Sequence, residues 1–451
     1  KLLIQQRDGS FVGSNEDVFA ADSLSEDIGA VFFDANGDGR PDLYVVSGGN
    51  EYSEGAQPLQ DRLYINEGHG KFRRRVEGYL PPETNSGSRV VAADYDGDGH
   101  VDLFVGGRVI PWAYGADPRS MLLHNDGQGH FTDVTAKLAP ELEHVGMVTD
   151  AVWRDLDGDG RLDLIVVGEW MPVTVFHNEG HGRLKKSQLK GLENTEGWWN
   201  RIVATDVNGD GKVDFVVGNL GLNGRLHATP SEPLTMYVKD FDSNGSTEQI
   251  ISMFNQGVSY PLPLRDDLLR ALPFLAPRLS SYKDYAKKTV RDLFTPQELS
   301  DALLKKVSTF ATSVLLNKGD GSFALVPLPD EAQLAPVYGI VAGDFEHDGH
   351  VDLILGGNFD GFPPAIGRMA ASYGVVLRGD GRGHFSVVPR NERGFFVPGQ
   401  TRDIARVRTA HGDALVVARN NDRPLVFRFR SNRAAALASK APPAAATRAG
   451  Y

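Results

Sequence analysis

Short apolar runs recur along the chain, and the same nine-residue acidic stretch separates them in pairs. It reads DANGDGRPD at 34–42, DYDGDGHVD at 94–102, DLDGDGRLD at 155–163, DVNGDGKVD at 206–214 and DFEHDGHVD at 344–352. A weaker copy, DFDSNGSTE, lies at 240–248. The runs that follow are LYVVSGG, LFVGG, LIVVG, FVVG and LILGG. A second unit comes after each at a steady distance: LYINEGHGKF (63–72), LLHNDGQGHF (122–131), VFHNEGHGRL (175–184), LLNKGDGSF (315–323) and VLRGDGRGHF (376–385). An apolar strand, a Gly-rich turn and a second strand make a hairpin. Each period therefore predicts a four-stranded antiparallel module of the kind that forms one propeller blade.

The acidic stretches start at 34, 94, 155, 206 and 344, and the last gap is more than twice any other. Residues 262–306 account for part of it. They read as helix, with Thr295, Pro296 and Glu298 forming a capping-box start. The remainder leaves room for two periods, so one blade between Asp206 and Asp344 is expected to lack a full acidic loop. A last degenerate period starts near Asp403. The expected fold is all-β: a seven-bladed β-propeller, with six blades as the alternative, carrying a helical insertion. The strand within 7–13 is expected to complete the last blade and close the ring. The expected domains are a propeller over 1–430, a helical insertion at 262–306 and an Ala/Pro-rich tail at 431–451, read as linker or disordered end. No signal peptide is visible at Lys1, which fits a mature or trimmed form.

Composition narrows the function classes. Asp+Glu number 59 against 47 Lys+Arg, a net charge of −12, which argues against a nucleic-acid or anionic-membrane partner. No apolar run reaches the ~18–20 residues that span a bilayer. Cys is absent, which excludes disulfides, thiolate metal sites and a Cys nucleophile.

Three or four carboxylates within nine residues repel one another unless a cation joins them. Calcium takes six to eight oxygens at about 2.3–2.6 Å and accepts mixed carboxylate and carbonyl donors. Positions 1, 3 and 5 can curl round one ion, Gly at 6 permits the turn, position 7 offers its backbone carbonyl, and position 9 reaches back. The candidate ligands are Asp34, Asn36, Asp38, Arg40 and Asp42; Asp94, Asp96, Asp98, His100 and Asp102; Asp155, Asp157, Asp159, Arg161 and Asp163; Asp206, Asn208, Asp210, Lys212 and Asp214; and Asp344, Glu346, Asp348, His350 and Asp352. The weaker copy adds Asp240, Asp242, Asn244, Ser246 and Glu248. The expectation is about five Ca2+ ions, with a sixth candidate at 240–248. The bland reading is a solvated acidic turn. Magnesium prefers fewer protein ligands and zinc prefers His or Cys. A ~10 μM site filled at ~1 mM extracellular calcium adds roughly 2.7 kcal/mol of stability, and cytosolic calcium leaves it mostly empty. That points to a secreted, cell-surface or periplasmic location.

In these loops the sequence resembles the FG-GAP/VCBS repeat family, which includes the calcium-binding blades of integrin α-subunits. The resemblance runs over about 7–430. The Phe-Gly and Gly-Ala-Pro hallmarks are largely missing, with remnants at Tyr338-Gly339 and Gly343-Asp344. The helical insert and the NNDRPLVF segment look like bacterial secreted members similar to the cartilage acidic protein group. The resemblance implies a calcium-stabilised propeller, and binding or adhesion as a family tendency.

No His-x-x-x-His helix, GxSxG elbow or P-loop is present, so no catalytic residue is assigned. The expected role is a binding, adhesion or scaffold module for a protein or carbohydrate. The alternatives are a carbohydrate-active enzyme, lyase or hydrolase, and a subunit of a larger surface assembly. Aromatic candidates for the face away from the acidic loops are Trp112, Tyr114, Trp170, Trp198, Trp199, Phe359 and Phe362, each with core filling as its bland role. The helical insert is a further partner candidate, or a cap on one blade.

Overall fold

The computed structural model describes residues 2–429 apart from Gly9, Val76, Ala365 and His411. The tail expected over 431–451 lies outside the described residues. Strands dominate, and they pair antiparallel in consecutive order wherever a short turn joins them. Sheet 1 comprises Glu26–Phe33, Asp42–Gly48, Arg62–Gly68 and Lys71–Arg75. Sheet 2 comprises Ser86–Ala93, Asp102–Val109, Met121–Asn125 and Phe131–Asp133. Sheet 3 comprises Met147–Arg154, Asp163–Met171, Thr174–Asn178 and Leu184–Ser187, with the short strand Gly197–Trp198 paired to the second. Sheet 4 comprises Arg201–Thr205, Asp214–Gly218, Ser313–Asn317 and Phe323–Pro327. Sheet 5 comprises Val337–Gly343, Asp352–Gly357, Val375–Gly379 and Phe385–Val387. Sheet 6 has three strands, Thr401–Thr409, Gly412–Arg419 and Leu425–Arg428.

The second strands are buried on both faces because each sheet packs against the next. Tyr44 and Val46 of sheet 1 meet Leu103 and Val105 of sheet 2. Phe104 meets Leu164 and Val166, Ile165 meets Phe215 and Val217, Val216 meets Leu353 and Leu355, and Ile354 meets Leu415 and Val417. Alternate residues of one strand thus serve two neighbouring cores, the period-2 rule of a pleated strand. Among the described residues no apolar cluster joins sheet 6 to sheet 1. The free face of sheet 1, with Leu43 and Val45, is covered by Leu2, Val18 and Phe19.

Three expectations are corrected. The stretch between Asp206 and Asp344 holds no extra blade in the series. It holds a sheet nested inside sheet 4, between Asp214–Gly218 and Ser313–Asn317. The nested sheet runs Val258–Pro261, Glu248–Asn255, Leu234–Lys239, Leu303–Val307 in spatial order. The end of the stretch read as helix is therefore strand, since Leu303–Val307 gains a ladder against Leu234–Lys239. The strand Phe11–Ser14 does not complete sheet 6. It pairs with Leu2–Gln5, because a tight local hairpin costs less chain entropy than a pairing across the molecule.

The nested sheet lies between two apolar layers. Leu234, Met236 and Val238 pack with Trp170 and Trp198, while Ile250 packs with Leu268, Leu275 and Leu293 of the short helices. Those helices include Arg265–Ala271, Val290–Leu293 and Pro296–Leu299. Thr295 caps the last: its hydroxyl accepts from the Glu298 N–H at 3.3 Å, and Glu298 accepts from the Thr295 N–H at 2.6 Å.

Candidate functional site

Each of the five acidic stretches joins the first strand of a sheet to its second, and the weaker copy joins Leu234–Lys239 to Glu248–Asn255. All six fold alike. The carboxylate at position 1 accepts the N–H at position 6: Gly39 to Asp34, Gly99 to Asp94, Gly160 to Asp155, Gly211 to Asp206, Gly349 to Asp344 and Gly245 to Asp240, all at 2.8–3.0 Å. These glycines have φ between +80° and +90°, the left-handed region that disfavours any Cβ. Asn36, Asp96, Asp157 and Asn208 at position 3 accept from the N–H of position 5. Asp38, Asp98, Asp159, Asp210 and Asp348, and Asn244 in the weaker copy, accept from the N–H of position 7, contributed by Arg40, His100, Arg161, Lys212, His350 and Ser246. The Arg40 and Arg161 side chains turn back onto Asp38 and Asp159 as ion pairs.

The acid at position 9 is anchored from both sides. Asp42, Asp163, Asp214, Asp352 and Glu248 accept the N–H of position 2 at 3.0–3.2 Å. The other oxygen of the four aspartates accepts a third-strand N–H, from Asn66, Asn178, Asn317 or Gly379. Asp102 breaks the pattern. Its Oδ1 takes the Asn125 N–H at 2.8 Å, but its buried Oδ2 has no partner among the described residues. Ligand oxygens of Asp94, Asp96 and Asp102 lie within 4.8 Å of one another, as do those of Asp240, Asp242 and Glu248. Burial, followed by the charges of Asp96, Asp98 and Asp94, pushes Asp102 up to about 8. Burial likewise raises Asp42, Asp163, Asp214, Asp352 and Glu248. Convergent hard oxygens and an orphaned buried carboxylate oxygen fit a hard divalent cation.

The sequence reading missed the third-strand residue that faces each loop. His124 Nδ1 lies 3.3 Å from both Asp96 Oδ2 and Asp102 Oδ1, and His177 Nδ1 lies 3.1 Å from Asp163 Oδ1. In sheet 5 the same place holds Arg378, which grips Glu346 with bonds of 2.8 and 2.5 Å. The signal was present: these residues immediately precede the end of each third strand, in LLHN, VFHN and VLRG.

At the other end of the sheets lies a cavity of about 560 Å3. Ile28, Arg89, Thr149, Arg201, Tyr338 and Arg402 line it, one from the first strand of each of the six sheets. All sit near the start of their strands, whereas the acidic loops leave from the opposite ends. Arg89 pairs with Asp150 at 3.0 Å, Arg201 with Asp403 at 3.0 Å and Arg108 with Glu169 at 2.6 Å. Of the aromatic candidates, Tyr114, Trp198, Phe359 and Phe362 line this cavity. Trp170 and Trp199 are core residues, and Trp112 is 65% exposed outside it.

A model of the FG-GAP-like repeat matches residues 34–105, 112–166 and 155–217, the segments that hold the first four acidic loops. The chain carries FG-GAP-like repeats. Cartilage acidic protein 1 of Mus musculus is 24% identical over 82% of this chain and 54% of that protein. The Homo sapiens protein of that name is 25% identical over 82% and 52%. The chain spans about half the length of these curated FG-GAP relatives. Both are mammalian, and they lend no support to a bacterial origin. Among solved structures, an Agrocybe aegerita lectin that recognises non-reducing terminal N-acetylglucosamine is 16% identical, with a TM-score of 0.35 over 86% of each chain. The V. cholerae biofilm matrix protein Bap1 is 11% identical, with a TM-score of 0.34 over 90% of this chain and 69% of that one. At such scores the likenesses carry no argument. No helix among the described residues is long and apolar enough to cross a membrane.

Proposed function

We propose that this FG-GAP-repeat chain is an extracellular, calcium-stabilised propeller scaffold that binds a protein or carbohydrate ligand. Six sheets arranged round the central cavity are the blades, and the sheet nested in sheet 4 is an insertion over 234–307. The acidic loops hold structural calcium: five in the blades and a sixth at Asp240, Asp242 and Glu248. The observation that carries this reading is the unpartnered Asp102 Oδ2, buried beside Asp94 and Asp96, for which a cation is the complementary partner. When bound, the ion supplies positive charge that lets these carboxylates ionise together. The chain's own residues do the rest: position 1 ties the loop to its turn, and position 9 ties it to the third strand. Because the cavity lies at the opposite end, the metal role is structural, and ligand binding belongs to the cavity end. Metal content and thermal unfolding test this. Protein dialysed against millimolar calcium is expected to retain several ions per chain and to melt higher than protein in chelator. Equal melting temperatures with no retained metal would remove the reading.

A further inference from the structure

The lining of the central cavity holds more cationic than anionic side chains, in a chain whose net charge is −12. Four arginines line it, Arg89, Arg108, Arg201 and Arg402, against two lining carboxylates, Glu169 and Asp403. Asp150 adds a third, since it is paired with both Arg89 and Arg201. Arg402 is the cation left over: it forms no ion pair among the described residues. Its hydrogen bonds go to the Asn358 and Thr401 carbonyls and to the Gln400 side-chain oxygen, and among the described residues none leaves its Nε. Its guanidinium lies over the Tyr338 ring at 4.9 Å and the Phe359 ring at 5.8 Å, which holds the plane in one orientation. Burial lowers its pKa from the ordinary guanidinium value, against the opposing pull of Tyr338 and Asp360. Three further donors at this site, Arg108 Nη1, Trp198 Nε1 and Arg201 Nε, are buried without a hydrogen-bond partner among the described residues, Arg201 Nε lying 3.4 Å from its ion-pair partner Asp150.

These features select a ligand. Unmatched donors call for acceptor oxygens, and the leftover guanidinium calls for an anion, with a planar carboxylate matching its fork. Arg108 beside Glu169 and Arg201 beside Asp403 offer donor and acceptor side by side, the pairing that vicinal hydroxyls satisfy. Phe359 and Phe362, set edge to face at 4.9 Å, supply an apolar corner for a pyranose ring, and the volume falls within the ~300–1,000 Å3 of small-molecule sites. We propose that the central cavity binds an acidic saccharide, with the carboxylate of a uronic acid residue on Arg402 and the sugar ring against Phe359 and Phe362. This rests on the reading of the chain as a binding scaffold and names the ligand class of its cavity end.

Calorimetry of the calcium-loaded full chain with tetragalacturonate, and with maltotetraose as the neutral counterpart, tests it. Tetragalacturonate is expected to bind at least about tenfold more tightly than maltotetraose. Arg402→Gln is expected to weaken tetragalacturonate by about tenfold or more, while Trp112→Ala, outside the cavity, leaves it unchanged. If Arg402→Gln fails to fold, Phe362→Ala serves as the second variant, with the same loss expected. Unaltered affinity in a folded cavity variant would place the saccharide elsewhere, such as on calcium at the far end, and overturn the inference. Equal binding of the two oligomers overturns the acidic class while leaving the scaffold reading intact. Binding of neither overturns the site, and the chelator melt then decides the scaffold reading separately.

Discussion

Asn125 ties two acidic loops together: its backbone N–H donates to Asp102 Oδ1 at 2.8 Å, and its side-chain amide donates to the Ala35 carbonyl of the preceding loop at 3.0 Å. Asn178 repeats the arrangement one sheet on, bonding Asp163 at 2.9 Å and the Tyr95 carbonyl at 2.7 Å. The first three acidic loops are thus linked in series through two buried amides. Replacing Asn178 with Ala strands the Tyr95 and Leu162 carbonyls. We expect Asn178→Ala to cost about 1–3 kcal/mol in urea unfolding and to weaken calcium binding at 155–163. Wild-type stability in that variant would show that the amide link is idle.

The acidic loops predict an effect whose sign depends on metal. On the proposed cage reading, Asp96 repels Asp94 and Asp102 in chelator and ligates the ion in calcium. Asp96→Asn is expected to raise the melting temperature in chelator and lower it in millimolar calcium. A shift of one sign under both conditions would contradict the cage reading.

Asp61 gives a pH prediction away from the loops. It accepts the Ser47 N–H and the Tyr44 hydroxyl, each at 2.8 Å. Burial pushes it up to about 7, against the opposing pull of those bonds and of Arg62. An unfolded Asp titrates near ~3.9, so between about pH 4 and 7 the folded state holds a proton that the unfolded state has lost. That contribution is full below about pH 4 and is lost as pH rises through about 7. Asp61→Asn is expected to flatten this part of the stability–pH curve, read by urea midpoints at fixed calcium.

The nested sheet is held against sheet 3 by apolar packing. Met236 is fully buried in the cluster that holds Trp170, Trp198 and Met369. Met236→Ala is expected to cost about 2–5 kcal/mol if the nested sheet and the six sheets unfold together. Two separate transitions by calorimetry, with only one shifted, would show that the insertion folds on its own.

Much of this protein is legible in its sequence because the information is local. The acidic loops close through hydrogen bonds spanning five to seven residues, as Gly39 to Asp34 and Ala35 to Asp42 do. Glycine at position 6 is required by the backbone itself, and Thr295 and Glu298 cap a helix three residues apart. Strand pairing between distant segments is a different matter. Val217 finds Ser313 across a whole nested sheet, and nothing near either residue encodes that choice. Nor does local sequence separate Trp198, at the cavity, from Trp199, in the core. His124 acquires its partners only when the strands of sheet 2 pair, and Arg402 meets Tyr338 and Phe359 only when sheet 6 packs beside sheet 5. Side-chain type and short-range spacing determined the loops and hairpins. The tertiary structure alone decided the nesting, the cavity and its unpaired charge, because burial and long-range contact exist only once the sheets have packed.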